Sequence, residues 1–259
     1  MSKVVERESA EALGVARSLL RRAERIVALT GAGVSAESGV PTFRGAGGLW
    51  KTYRAEDLAT PEAFGRDARL VWEWYGWRRS VVLSCAPNAA HRALAGASAT
   101  RPDFRVVTQN VDGLHVAASD GVGPPPLELH GSLFRIRCTG CGVGREDRSV
   151  IDATSIETLP HCKTCTALMR PDIVWFGEPL NATILGEAAR LASMADVCLV
   201  VGTSAVVHPA AGLADLTRRG GGSIIEVNVA STPITDVAAA SLRGPAAVIV
   251  PELLRHERQ

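Results

Sequence analysis

Short apolar runs alternating with helix-period stretches, a glycine-rich turn directly after the first run, and two Cys-x-x-Cys pairs predict an α/β fold. The expected architecture is a Rossmann-like, mostly parallel sheet carrying an inserted small zinc-ribbon module and a helical segment. Strands are read at 25–30, Phe104–Thr108, Val197–Val201, 224–228 and 247–250. Their apolar content fits strands covered on both faces. Helical periodicity lies between them, around 66–83, 89–95, Ala182–Met194 and 210–219. Ahead of the first strand, Leu13, Ala16, Leu19, Leu20 and Ala23 recur at the spacing of an amphipathic helix.

Two segments interrupt the alternation. Residues 34–103 are too long for one crossover and should hold a flexible loop and several helices. Residues 131–170 carry the paired cysteines and little helical periodicity. The chain, 1–259, is thus read as one catalytic unit with its sheet core over about 20–130 and 171–255, and Pro124-Pro125-Pro126 as a local linker.

Hydrophobic residues make up 46% of the 259 and charged residues 21%, the profile of a globular protein with a large core. A net charge of +1 supplies no broad basic field, so nucleic acid is not expected as a partner. Acidic Glu6, Glu8 and Glu11 near the start oppose a signal or transit peptide, and no apolar run is long enough for a bilayer. The expectation is a cytoplasmic monomer without membrane contact. In a reducing compartment, four of six cysteines arranged as C-x-x-C point to metal rather than disulfides.

Cys138-x-x-Cys141 and Cys162-x-x-Cys165 enclose residues 142–161, the spacing of a zinc ribbon. Four thiolates complete a tetrahedron, so the expected zinc ion is structural. Cys85 and Cys198 read as small buried residues. The turn Gly31-Ala32-Gly33-Val34-Ser35-Ala36 fits G-x-G-x-x-A, in which glycine permits a sharp turn and close approach of a pyrophosphate. On six residues alone, a plain strand-to-helix turn fits equally. Thr108-Gln109-Asn110-Val111-Asp112-Gly113-Leu114-His115 follows a strand, where an open sheet forms its ligand crevice. Asn110 and Asp112 suit a carboxamide ligand, although Asn-Val-Asp-Gly also forms ordinary turns.

Taken together, GAGVSAESGVPTFR at 31–44, TQNVDGLH at 108–115, LHGS at 129–132, the four cysteines and RPDIVWFGE at 170–178 resemble the sirtuin family. The resemblance runs from about Ile26 to Leu254. It implies an NAD-dependent protein-lysine deacylase with NAD as co-substrate, acylated lysine side chains as partners and one structural zinc. It implies that Gly31, Ala32, Gly33, Glu37, Thr42, Phe43, Arg44 and Trp50 bind the cofactor. Asn110 and Asp112 would line its nicotinamide pocket, Gln109 would sit near the ribose, and Val111, Gly202, Thr203, Ser204, Asn228, Val229 and Ala246 would also bind it. His130, with Asn110 and Asp112, would be catalytic. The acyl oxygen attacks C1′ of the ribose and expels nicotinamide; His130 then deprotonates a ribose hydroxyl, giving free lysine and O-acyl-ADP-ribose. His91 and His115 read as architectural.

Val174, Phe176 and Gly177 would pair with the substrate backbone as an added strand. Asp57-Leu58-Ala59-Thr60-Pro61 and Trp74-Tyr75-Gly76-Trp77-Arg78 resemble the class III branch, which includes desuccinylases and demalonylases. There Tyr75 and Arg78, three apart on a helix, would grip a carboxylate, and Ala59 would leave room for it. Without the resemblance, Trp72, Trp74 and Tyr75 read as a core stripe and Arg78 as a solvated charge. Gly244-Pro245-Ala246 departs from class III relatives that carry Cys at the last position. Alternative readings of the cofactor turn are a dehydrogenase or a mono-ADP-ribosyltransferase, and of the cysteines, a nucleic-acid-binding zinc ribbon.

Overall fold

A computed structural model describes residues 3–41, 49–50 and 53–255. The amphipathic helix α1 (Lys3–Arg22) leads into β1 (Ile26–Thr30), whose five residues are all buried, and then the one-turn α2 (Ala32–Ala36). A small hairpin, β2 (Leu49–Trp50) and β3 (Tyr53–Arg54), precedes the short α3 (Ala55–Leu58), α4 (Pro61–Arg66) and the long α5 (Ala68–Leu83). Thr60 caps α4 by accepting from Ala63 N–H, with Pro61 at the first helical position. Asp67 caps α5 and Asn88 caps α6 (Ala89–Thr100) in the same way.

The chain continues through β4 (Phe104–Thr108), α7 (Leu114–Ser119) and β5 (Leu127–Glu128). Then come β6 (Gly131–Cys138), β7 (Gly144–Glu146) and β8 (Met169–Ile173), a three-stranded antiparallel sheet in the order β7-β6-β8. It returns as α8 (Ala182–Met194), β9 (Val197–Val201), α9 (Gly212–Arg219), β10 (Ser223–Asn228), β11 (Ala240–Arg243) and α10 (Ala246–Leu254). The large sheet is wholly parallel, in the order β11-β10-β9-β1-β4-β5. This is the predicted α/β architecture with its helical and cysteine-bearing insertions.

One expected strand is corrected. Residues 247–250 lie in α10, and the edge of the sheet is β11 instead. The run Val-Ile-Val is too short for periodicity to separate strand from buried helix. Over nine residues the answer is visible: Ala246, Val250, Leu253 and Leu254 are the buried ones, a helical spacing. Pro251 in the sixth position does not prevent it.

Apolar side chains form three clusters. Two cover the faces of the large sheet, around Ala28, Phe104, Leu199 and Ile225 on one side and Leu29, Val107, Val200 and Ile224 on the other. The third joins α3–α5 to the small sheet and buries Phe64, Trp72, Trp74, Tyr75, Phe134 and Trp175. No helix among the described residues is long and apolar enough to cross a membrane.

Candidate active site and metal centre

Register decides what meets at the carboxyl edge of the large sheet. Ile26 pairs with Phe104 and Val197, and the pairing runs level to Thr30, Thr108 and Val201. The next residues, Gly31, Gln109 and Gly202, are therefore neighbours, at the point where the chain leaves β1 for opposite sides of the sheet. Glycine is needed here for the approach of one turn to another. A Cβ on Gly31 would stand 2.7 Å from Thr203 Cβ, and one on Gly33 would stand 2.8 Å from Gly202 Cα. Gly33 N–H donates to Gly202 O at 2.7 Å. So the G-x-G pattern locks β1 to β9, and the cradle it forms presents backbone at Gly31 and Gly33.

Beside it lies a buried polar network centred on Ser35, a residue that sequence reasoning passed over. Ser35 donates to Asp112 Oδ2 at 2.7 Å and accepts from Asn110 Nδ2 at 3.0 Å. Asn110 Nδ2 also donates to Gly31 O at 3.1 Å, so both its protons are used and its Oδ1 is left to accept. His91 Nε2 sits 3.3 Å from Ser35 Oγ while its Nδ1 accepts from Asn88 N–H. Because Ser35 gives its proton to Asp112, His91 carries its own on Nε2 and is neutral. His115 Nε2 lies 2.9 Å from Thr30 Oγ1, which donates to Thr108 Oγ1 at 2.8 Å. The two imidazoles pack at 59° to each other with centroids 4.7 Å apart. Burial lowers His91 to about 4 and His115 to about 3, so both stay uncharged. Asp112, 6% exposed, is pushed up by burial, against the hydrogen bonds from Leu114 N–H and Ser35.

His130 occupies the turn from β5 to β6. Its Nδ1 is 2.9 Å from Gln109 O, and since a carbonyl only accepts, the proton is on Nδ1 and Nε2 keeps its lone pair. Burial lowers the imidazole's pKa, against that hydrogen bond, and favours the basic form. Gln109 Nε2 reaches Thr203 Oγ1 at 3.1 Å, and Asn228 Nδ2 donates to Thr203 O at 3.2 Å. The crest thus gathers Gln109, Thr203 and Asn228 in one chain of contacts, with Ser204 and Val229 exposed beside it. Val111, partly buried, accepts from Leu133 N–H through its carbonyl, and Ala32 begins α2. Glu37 accepts from Ala247 N–H at 3.0 Å, which ties α2 to the first turn of α10 at Ala246. Thr42, Phe43, Arg44 and the side chain of Trp50 lie outside the described residues. Glu226, another residue not foreseen, is 1% exposed beneath this edge. It accepts from Thr232, Thr235 and Ser241 and pairs with Arg243 at 3.0 Å.

On the other flank, α5 places Arg78 with its guanidinium 4.9 Å from the Trp74 ring centroid and 5.4 Å from that of Tyr75. Arg78 is partly accessible, not fully solvated; burial lowers its pKa to about 10, against the pull of Tyr75 and Asp112, and it remains charged at neutral pH. Tyr75 is fully buried and its pKa is raised, mainly by burial. The expected core stripe is there in Trp72, Trp74 and Tyr75, whereas Arg78 lies against the Trp74 and Tyr75 rings instead of standing in solvent. Ala59 O accepts from Phe176 N–H at 2.9 Å, and Val174 N–H donates to His130 O at 2.9 Å. Gly177 forms a turn at φ 83°, and exposed Phe176 precedes it.

Cys138, Cys141, Cys162 and Cys165 bring their sulfurs within 4.8 Å of one another. The pairs Cys138–Cys165 and Cys141–Cys162 are 3.4 and 3.7 Å apart. A tetrahedron of ~2.3 Å zinc–sulfur bonds has edges of about 3.8 Å, so the four sulfurs fit zinc. Amides of Gly140 and Cys141 point at Cys138 Sγ, and that of Thr164 at Cys162 Sγ, as knuckle turns do for thiolates. His161 is turned away, with Nδ1 on Leu159 O.

Residues 31–209 match the family model described as the Sir2 family. The chain belongs to the Sir2 family. It is 52% identical over 246 residues to an NAD-dependent protein deacylase of Thermococcus kodakarensis, a match covering 94% of this chain and 95% of that one. It is 44% identical to the mitochondrial NAD-dependent protein deacylase sirtuin-5 of Canis lupus familiaris, covering 92% and 83%. A solved Sir2 homologue in complex with NAD superposes with a TM-score of 0.86 at 46% identity, covering 96% and 93%. A Sir2–p53 peptide–NAD+ structure superposes at 0.82 with 32% identity, covering 93% and 96%. For a Sir2-family chain the cradle and the four sulfurs have an evident use: relatives hold NAD, and the cysteine cluster fits a structural zinc.

Proposed function

We propose that this chain is an NAD-dependent protein-lysine deacylase that prefers acyl groups ending in a carboxylate, with succinyl and malonyl ahead of acetyl. The observation that carries the catalytic part is the tautomer of His130. Gln109 O holds the Nδ1 proton, and Nε2 is left as a base beside the cradle. NAD, when bound, supplies an electrophilic ribose carbon with nicotinamide as its leaving group, and the acyl group ends on ADP-ribose. Gly31, Ala32 and Gly33 would line the pyrophosphate path, and Thr203, Ser204, Asn228, Val229 and Ala246 the adenosine end. Asn110 Oδ1 and the Asp112 carboxylate, both acceptors, match the –NH₂ of a carboxamide. His130 Nε2 takes the proton of a ribose hydroxyl, which frees that oxygen to receive the acyl carbon.

Val174, Trp175, Phe176 and Glu178 donate their N–H groups internally. A substrate backbone would therefore pair here through Gly177 N–H and the carbonyls of Val174 and Phe176. In the acyl pocket Arg78 would take a carboxylate bidentately, with Tyr75 adding a hydrogen bond and Ala59 leaving space. We place the protein in the cytoplasm as a monomer with no nucleic-acid partner.

A panel of acetyl, malonyl, succinyl and glutaryl forms of one peptide with NAD, read by mass spectrometry, tests this reading. Succinyl and malonyl peptides should be consumed fastest, and Arg78→Met should cost succinyl activity far more than acetyl activity. Equal losses on both would remove the acidic-acyl preference; no NAD-dependent product from any peptide would remove the deacylase itself.

A further inference from the structure

Behind Arg78 and Tyr75 stands a residue with no part in the roles above. The indole of Trp175 is 2% exposed and its Nε1–H donates to Tyr75 Oη at 2.9 Å. The Arg78 guanidinium lies against the Tyr75 ring, 5.4 Å from its centroid, and it too can only donate. A phenol oxygen has one proton to give and two lone pairs to offer. Neither the indole N–H nor the guanidinium can accept, so the hydroxyl's own proton is left for a third group. Tyr75 is thereby set as a donor, the polarity that a carboxylate requires.

Trp175 is itself held on every side. Arg170 lies over its ring at 3.2 Å, and the Phe64 ring packs 5.4 Å away. Its backbone N–H donates to Glu178 Oε2, and Glu178 in turn accepts from both terminal nitrogens of Arg170. The neighbouring amides of Val174 and Phe176 are pinned to His130 O and Ala59 O. The indole therefore has a fixed direction, and it sits between the proposed base and the acyl pocket.

We infer that Trp175 is a positioning residue that determines acyl specificity: its indole N–H fixes Tyr75 as a hydrogen-bond donor and so favours acyl groups that end in a carboxylate. The inference rests on the acidic-acyl reading above. An acetyl group presents no such acceptor, so the effect is confined to acidic chains. Trp175→Phe keeps an aromatic ring against Arg170 and Phe64 and removes only the N–H and part of the ring.

The test is steady-state kinetics of the full chain on succinyl-lysine and acetyl-lysine forms of one peptide, for the wild type, Trp175→Phe, Tyr75→Phe and the double variant. The ratio of the two kcat/KM values should fall about five- to tenfold in Trp175→Phe, the net weight of one ordinary hydrogen bond. The loss should lie mainly in KM for the succinyl peptide. In the Tyr75→Phe background the tryptophan substitution should change the ratio by less than about twofold, since the two act as one unit. Equal losses on both peptides, or fully additive effects, overturn the inference. Should Trp175→Phe fail to fold, site-specific replacement of Trp175 by benzothienylalanine keeps the shape, puts sulfur in place of N–H, and is read by the same ratio. A wild-type succinyl preference that Arg78→Met abolishes and Trp175→Phe leaves intact defeats this inference alone. Absence of any succinyl preference defeats the acidic-acyl reading on which it stands.

Discussion

The faces of the large sheet are packed with aliphatic side chains such as Ala28, Val106, Leu199 and Ile225, whereas α3–α5 and the small sheet bury Trp72, Trp74, Tyr75, Phe134 and Trp175. The sheet half holds its shape through an unbroken parallel ladder and glycine-to-glycine approach. The insertion half has a ladder interrupted by a register shift between Gly131 and Ile136, and compensates with side chains that bond backbone. Arg79, 4% exposed, donates to Leu133 O, Asp147 O and Ser149 O and faces the Asp147 carboxylate at 3.6 Å, while Trp72 Nε1 donates to Met169 O. Cys138 and Cys162 belong to the same aromatic cluster, so zinc would anchor the core that carries the acyl pocket. A regular lattice of backbone bonds needs little help, and an irregular one needs specific polar anchors.

That contrast is most sharply tested by the metal. All five tryptophans fall at 50, 72, 74, 77 and 175, within the insertions and the strand return beside them, so tryptophan emission reports on one half alone. Chelation of zinc, or Cys162→Ser, removes coordination that contributes about 10–16 kcal/mol in small zinc modules. Emission should shift to the red and the near-ultraviolet circular dichroism should collapse, with much of the helical signal kept. Simultaneous loss of both signals at one zinc concentration would show that the halves fold as one unit.

A second test leaves the architecture untouched. His130→Ala should lower deacylation by about 10²–10⁴-fold, the usual weight of a general base, with an unchanged melting temperature. Since burial holds the imidazole below its ordinary pKa, the wild-type rate should persist as pH falls past ~6.5 and decline only below it.

Acid should strike the sheet half first. His91 and His115 are held neutral in the fold, at about 4 and about 3, while in the unfolded chain each takes a proton near ~6.5. The unfolded state binds more protons below that value, so stability falls as pH drops from ~6.5 towards 4, by up to ~3 kcal/mol per pH unit for the pair. Urea midpoints at pH 7, 6 and 5 measure this; a flat profile would mean that both imidazoles take up protons in the fold as readily as in the unfolded chain. The smallest effect belongs to a cap. Thr60→Ala frees Ala63 N–H at the start of α4 and should cost about 1 kcal/mol, seen in tryptophan emission before any change at the sheet.

Much of the candidate site is legible along the chain because its parts are local. Two C-x-x-C knuckles, a glycine turn after a strand, and Asn110 with Asp112 two apart each occupy a few consecutive residues. What escaped are residues whose partners are distant. Ser35 looks like a turn serine until Asp112 and His91 close on it; Trp175 reads as groove or core until its N–H meets Tyr75, a hundred positions earlier. The misread run at 247–250 has the same origin, since four apolar residues carry no period and only packing against α6 and the sheet makes them helix.

By itself, then, the sequence determined the repeating α/β order, the four-sulfur cluster and the residue types gathered at the cradle, because periodicity, turn chemistry and ligand spacing are written in neighbouring positions. The tertiary structure alone decided the proton on His130, the neutrality of His91 and His115 and the direction of the Tyr75 hydroxyl. Those depend on burial and on hydrogen-bond partners brought together from remote segments, and a side chain's charge and donor sense are properties of its surroundings.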